Sequence, residues 1–224
     1  ITDDNTLDVA KMIFSGKINI EIVAAMRKWG VRTVGLSGVD GDIIDAKRRP
    51  VASVKNQQTG QMESVDFGHA DDVISVDPTL LQLLIDRDYV PVVCSLASDD
   101  DGNIFNINAD TIATVIAQSL KAEKLIVLSD VPGLLLNEQD PTSLVSYVDI
   151  TDLETMIKEK KISGGMLPKI EGCINAVKNG VSRTHLIDGT REHALLEEVF
   201  TNAGSGTMIV SRKESEEYEE VEID

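Results

Sequence analysis

Strand-sized apolar runs and helix-length amphipathic segments alternate along most of this chain, and that alternation constrains its fold more than any other feature. Strands that pair in parallel need long crossovers, which helices supply, so the pattern predicts an α/β protein on a mainly parallel sheet. Residues 7–28 carry Val9, Met12, Ile13, Ile20, Ile22, Val23 and Met26 at helical intervals, predicting one helix or two broken near Gly16. A buried strand over 33–36 follows. Between Ile43 and Phe67 the period changes to two, with turn candidates at Arg49-Pro50 and Thr59-Gly60, which predicts projecting β-hairpins. Helices are expected over 78–87, behind the capping residue Asp77, and over 108–121, with strands over 89–95 and 103–106.

A second group of elements begins at Lys124: a strand to Leu128, a glycine loop, helices near 152–159 and from Lys169 to Asn179, a strand over 184–187, a helix over 192–200 and a strand over 207–210. The expected domains are therefore an N-terminal lobe over 1–121, a C-terminal lobe over 122–212 and an acidic tail over 213–224. No Pro- or Ser-rich linker separates the lobes, which predicts one continuous sheet with a hinge near 120–124.

Charge narrows the function. A formal net charge of −17 is unsuited to tracking a nucleic-acid backbone, which needs a basic face. Seven of those charges lie in Glu214–Asp224, a block with the composition of a solvated, disordered tail. The longest apolar runs, such as Tyr89–Cys94 and Leu125–Leu128, are strand-sized, so neither a membrane span nor a signal segment is expected. Only Cys94 and Cys173 are present, one in a strand-like and one in a helix-like run, which points to a reducing, cytoplasmic setting without a disulfide framework. His69, His185 and His193 are scattered and form no zinc pattern, so no protein-bound transition metal is expected.

Three short motifs carry chemistry. In Ser163-Gly164-Gly165-Met166-Leu167-Pro168-Lys169-Ile170 a glycine segment turns into a helix beside a lysine, and a helix N-terminus with an ammonium group makes a phosphate site. Alone, the run also fits a hinged loop with a solvated lysine. The second motif, Asn106-Ile107-Asn108-Ala109-Asp110, sits at a strand end and helix start, and the third, Leu128-Ser129-Asp130-Val131-Pro132-Gly133-Leu134-Leu135, leaves a strand in a glycine turn. Asp110 by itself is an ordinary first-turn carboxylate, and Asn106 and Asp130 are ordinary turn residues. Their convergence is the argument, because open α/β sheets bind ligands at strand C-terminal ends. The chain has neither a GxxxxGK[ST] loop nor HRD and DFG landmarks, so phosphoryl transfer would need another architecture.

Taken with Val34–Gly41, Asp66-Phe67-Gly68-His69 and Gly204-Ser205-Gly206-Thr207, these motifs resemble the acetylglutamate kinase branch of the amino acid kinase family, over nearly the whole chain to Val210. The resemblance implies a three-layer α/β/α sandwich that transfers the γ-phosphoryl of MgATP to the side-chain carboxylate of N-acetyl-L-glutamate in arginine biosynthesis. It implies phosphate contact and charge stabilisation by Lys169, positioning of the catalytic lysines by Asp110, and a hydrogen bond from Asn106 to the acceptor. ATP would be wrapped by Asp130, Val131, Pro132, Gly133, Leu134 and Leu135 together with Lys161, Ile162, Ser163, Gly165 and Met166. Mg2+ would be held mainly by phosphate oxygens and water, with no protein metal ligand.

The family's Lys-x-Gly-Gly strand and His-Gly-Gly loop are not in this sequence, and of its Gly-x-Arg-x-Thr context only Ile1-Thr2 is present, so the fold is expected to be N-terminally incomplete. The resemblance further implies a homodimer or a hexamer, and a regulator of the PII type as a partner. His193, with Phe200-Thr201 and Gly204–Thr207, fits an arginine-effector segment, although Ala203 stands where an acidic residue is common; an effector role and a plain surface histidine fit His193 equally. Helix 7–28 suits a two-fold interface or its own sheet. The alternatives are an N-acetylaminoadipate or glutamate 5-kinase type, and a non-catalytic regulatory subunit of the same fold. Because catalytic groups act as a unit, the 224 residues alone are expected to form no acyl phosphate; steady-state turnover by them would overturn that expectation.

Overall fold

From Asp4 to Lys28 the chain is helical without interruption, but not uniformly so: α1 (Asp4–Ala10) runs into a π-helical stretch, Lys11–Ile18, and then into α2 (Asn19–Lys28). The break expected near Gly16 is thus a widening of the helix. Asp3 caps α1 by accepting from the Thr6 N–H at 2.8 Å, and within the π stretch the Ser15 hydroxyl donates to the Lys11 carbonyl at 2.7 Å. The computed structural model describes residues 2–49, 52–55, 62–65, 72–137, 139–162, 164–202 and 204–215. Ile1, Pro50, the Thr59-Gly60 turn, Asp66-Phe67-Gly68-His69, Ser163, Ala203 and residues 216–224 of the tail lie outside them. Two units, Ile1–Ile112 and Ala113–Asp224, divide the chain.

In the first unit the helical run is followed by β1 (Thr33–Ser37), β2 (Ile44–Lys47), β3 (Ala52–Lys55), β4 (Met62–Val65), β5 (Asp72–Val76), α3 (Thr79–Ile85), β6 (Val90–Cys94), β7 (Leu96–Ser98) and β8 (Ile104–Asn106), with α4 (Ala109–Ser119) beginning at its end. β1 and β6 pair in parallel, with Gly35 opposite Val92. Over this pair lies Asn19, whose buried side-chain amide donates to the Leu36 carbonyl at 3.3 Å and the Val92 carbonyl at 2.9 Å. Only a glycine allows this approach: a Cβ on Gly35 would stand 1.9 Å from Asn19 Oδ1. β3 and β4 form the expected antiparallel hairpin pair. A second sheet runs β5-β2-β7-β8. Beside α3, Asp77 accepts from the Thr79 N–H at 2.9 Å, as its capping residue type leads one to expect.

The second unit holds β9 (Lys124–Ser129), β10 (Tyr147–Asp149), α5 (Ile150–Lys158), α6 (Met166–Lys178), β11 (Arg183–Asp188), α7 (Ala194–Phe200) and β12 (Thr207–Val210). Its sheet runs β10-β12-β11-β9, parallel between β9 and β11 and between β10 and β12, antiparallel between β11 and β12. Successive residues of β11 point to opposite faces. Leu186 packs with Ile170, Cys173 and Ile174 of α6, while His185 meets Glu198 of α7, so helices cover both faces in an α/β/α arrangement. Leu134, Val148, Leu153, Ile162 and Ile209 complete that core.

Among the described residues the ladders fall into four sheets, where the sequence reading expects one continuous sheet. A bend at Ser95 separates β6 from β7 and carries the chain from one ladder to the next, and a bulge between Asp45 and Ala46 shifts the register of β2 against β5. Past β12, the Ser215 N–H donates to the Ser211 carbonyl at 3.0 Å, Ser215 is buried, and Glu214 pairs with Arg183 at 2.8 Å, so the fold extends at least to residue 215. No helix of the described residues is long and apolar enough to cross a membrane. Replacing Asn19 by Ala should cost about 1–3 kcal/mol, through two lost buried hydrogen bonds and a void above Gly35, read as a lower urea midpoint with unchanged slope.

Candidate functional site

Two parallel strands set the geometry of the second unit's site. Ser129 closes β9 opposite Asp188, which closes β11, and the Gly189 N–H donates to the Ser129 carbonyl at 2.8 Å, so the loops leaving both strands start side by side at their C-terminal ends. The turn Asp130–Leu135 leaves from there. Asp130 is exposed, Val131, Pro132 and Leu135 are half-buried, and Gly133 and Leu134 are buried. Gly133 has φ 143°, a conformation side chains resist, and a Cβ there would stand 2.6 Å from Thr207 Oγ1. Leu134 is held at both its backbone groups: its N–H donates to Thr207 Oγ1 at 2.8 Å, and its carbonyl accepts from the Val145 N–H at 2.9 Å. Asp188 accepts from the Thr190 N–H and hydroxyl, and these bonds hold its carboxyl below the usual range.

The second candidate segment in this unit is the start of α6. Gly164, at φ 61°, and Gly165, the helix N-cap, are exposed and meet nothing where a side chain would stand. Gly165 brings no side chain to cap this 13-residue helix, and a helix start of this kind leaves room for an anion. Lys169 follows within the first turns, half-buried. Lys161 is exposed and pairs with Glu159 at 2.7 Å. The side chains of Ile162 and Met166 belong to the core, so what those two residues can offer a ligand is main chain.

In the first unit, Asn106 ends β8 opposite Leu96 of β7, and the next N–H, of Ile107, donates to the Ser95 carbonyl at 3.0 Å. Asn108 then caps α4 by accepting from the Thr111 N–H at 3.1 Å, which places Asp110 in the helix's first turn. Asn106 and Asp110 are both half-buried. The motif is therefore built as the sequence suggests, a strand end passing directly into a helix start.

His193 stands at the head of α7 with left-handed φ 64°, its side chain 68% exposed. The histidine the fold builds around is His185, which sequence reading left aside. Its Nδ1 lies 2.5 Å from Glu198 Oε1, and the Glu198 side chain is only 4% exposed. Glu198 Oε2 accepts from the Ser205 N–H at 2.6 Å and the Gly206 N–H at 3.0 Å. Burial raises the Glu198 pKa, but the bond to His185 and these N–H groups outweigh it and hold the carboxyl at about 2. No group of three His, Cys, Asp or Glu among the described residues could hold a metal ion.

Glycine turns leave the C-terminal ends of parallel strands in this unit, the place where α/β sheets receive ligands. The model of the amino acid kinase family matches residues 1–188, and the chain belongs to that family. Within it, the chain is 45% identical over 210 residues to the acetylglutamate kinase of Heliobacterium modesticaldum, covering 94% of this chain and 70% of that protein. It is 43% identical over 209 residues to the acetylglutamate kinase of Methanothermobacter thermautotrophicus, covering 93% and 71%. The chloroplastic acetylglutamate kinase of Arabidopsis thaliana is 42% identical, with 93% and 57% covered.

Among solved structures, N-acetylglutamate synthase from Neisseria gonorrhoeae, complexed with coenzyme A and N-acetyl-glutamate, superposes with a TM-score of 0.77 at 22% identity, over 95% of this chain and 45% of that one. Carbamate kinase from Giardia lamblia bound to AMP-PNP superposes at 0.60 and 16% identity, over 88% of this chain and 73% of that one. At those identities the likeness establishes the shared fold.

The depressed Glu198 carboxyl has a consequence for stability. It stabilises the fold fully above the unfolded value of 4.5 and loses that contribution as pH falls from there toward about 2. Unfolding free energies measured by denaturant across that window should fall for the unaltered chain, and fall less steeply for Glu198→Gln.

Proposed function

We infer that the protein expressed from its complete reading frame transfers the γ-phosphoryl group of MgATP to the side-chain carboxylate of N-acetyl-L-glutamate, yielding an acyl phosphate in arginine biosynthesis. The observation that carries this reading is the 42–45% identity to acetylglutamate kinases over more than nine-tenths of the chain.

The chemistry asks little covalent work of the protein. A carboxylate oxygen attacks the γ-phosphorus in line while the bond to the bridging oxygen of ADP breaks, and no side chain need be phosphorylated on the way. A carboxylate needs no base to become a nucleophile, so catalysis reduces to alignment and to neutralising charge on the transferred group. The turn Asp130–Leu135 and the main chain of 161–166 receive the nucleotide, with the start of α6 directed to its phosphates. Lys169 supplies positive charge to the transferred group. Asp110 orients the catalytic ammonium groups, and Asn106 hydrogen-bonds the acceptor. Magnesium would be held by the phosphates of the bound nucleotide and by water. It supplies charge neutralisation when bound.

The helical run from Asp4 to Lys28 leaves Met12 64% and Ile20 66% exposed, with Val9, Ile13 and Ile22 also open to solvent. This surface supports a homodimer that covers these side chains.

The test is acyl phosphate trapped with hydroxylamine by the protein expressed from its complete reading frame, with MgATP and N-acetyl-L-glutamate. Lys169→Ala should lower kcat by roughly 100- to 1,000-fold, the range for losing one charge stabiliser. Absence of hydroxamate with any N-acetylated acidic amino acid would overturn the reading. In sedimentation, Met12→Glu with Ile20→Glu should convert a dimer to a monomer.

A further inference from the structure

Glu198 is a carboxylate with no place in the nucleotide turn, yet an unbroken set of bonds runs from it to that turn. Its Oε2 accepts from the Ser205 and Gly206 N–H groups. The residue after Gly206 is Thr207, fully buried at the start of β12, and Thr207 Oγ1 accepts the Leu134 N–H. The Ser205 hydroxyl donates to the Ala194 carbonyl at 2.8 Å and so ties the same segment to the first residue of α7. On its far side Glu198 is fixed by His185, whose strand neighbour Leu186 packs in the core beside Leu134.

A carboxylate that satisfies two successive backbone N–H groups sets the path of the segment that carries them. Ser205 and Gly206 have no freedom to rotate without leaving a buried charge uncompensated, a cost well above that of a neutral bond. That path fixes where Thr207 enters the sheet. Thr207 in turn decides the position of Leu134, because Gly133 lies so close to its hydroxyl that no shift of either is absorbed by slack in between.

We propose that Glu198 is a positioning residue for nucleotide binding: it clamps Ser205 and Gly206 so that Thr207 presents its hydroxyl to Leu134 and holds the Asp130–Leu135 turn in its ligand-ready shape. The proposal rests on the reading of that turn as the nucleotide's seat. Glu198 itself touches no substrate, so it acts on affinity for one substrate and not on the chemical step.

The experiment compares Glu198→Gln, Thr207→Val and Thr207→Ser by steady-state kinetics in both substrates and by backbone amide exchange, with the protein from its complete reading frame. Glu198→Gln and Thr207→Val should each raise KM for ATP by about three- to tenfold, the effect of losing one buried hydrogen bond. KM for the acceptor and kcat per folded molecule should stay within about twofold, and the Leu134 amide should exchange faster. Thr207→Ser keeps the hydroxyl and should restore the ATP value, which a purely structural role for Thr207 would not require. Unchanged KM for ATP in folded Glu198→Gln, or an equal change for both substrates, would overturn the proposal. If the unaltered protein binds no fluorescent ATP analogue, the reading of the turn has failed, and the Leu134 exchange then reports the mechanical link by itself.

Discussion

The parallel ladder between β9 and β11, six residue pairs from Lys124–Arg183 to Ser129–Asp188, is the constraint on which the second unit depends. Parallel pairing forces the chain to leave both strands at the same end and to cross back through helical connections. One crossover therefore includes α5 and α6, and the residues following each strand are brought next to each other. That is why Asp130 and Gly189, 59 positions apart in sequence, begin neighbouring loops. The turn and the helix start acquire their positions from this ladder before any ligand is considered.

Much of the fold was legible because each element has a local cause. The strand over 207–210 was read with its observed bounds, and the helices around Asp110 and Lys169 within two or three residues at their ends. Periodicity shows such segments directly. β5, β7 and β10 were not read: two of them are three residues long, and a run that short has no period to detect. The helix near Asp152 begins earlier than expected, because the capping carboxylate is Asp149, buried and also bound to Arg212, a partner 63 positions away. The passage from the β1-β6 ladder to the next was likewise hidden, since it occurs at a bend at Ser95, which carries no strong residue signature.

The candidate site divides the same way. Asp130–Leu135, Gly165 and Lys169 announce themselves through glycine next to a strand end or a helix start. Burial of the Ile162 side chain was invisible, because the seven residues between α5 and α6 show no periodicity that would separate inward from outward positions. Glu198, His185 and Thr207 were missed for a plainer reason. An acidic residue on a seven-residue helix, a histidine within a strand and a threonine at a strand start are each ordinary; only the sheet order β11-β12 places them in one network.

Asn19 has a further meaning in the first unit. Apolar contacts between a helix and a sheet tolerate sliding, since one methyl group can replace another, whereas an amide bound to two carbonyls on two strands admits a single longitudinal setting. The helix is thus pinned at its middle, immediately after the π-helical stretch. A π turn holds more residues per unit length than an α turn. Surplus chain can accumulate there, or be withdrawn, while the pinned half keeps its place above Gly35. The Lys11–Ile18 segment is therefore where this helix stores its extra chain, directly ahead of the residue that pins it to the strands.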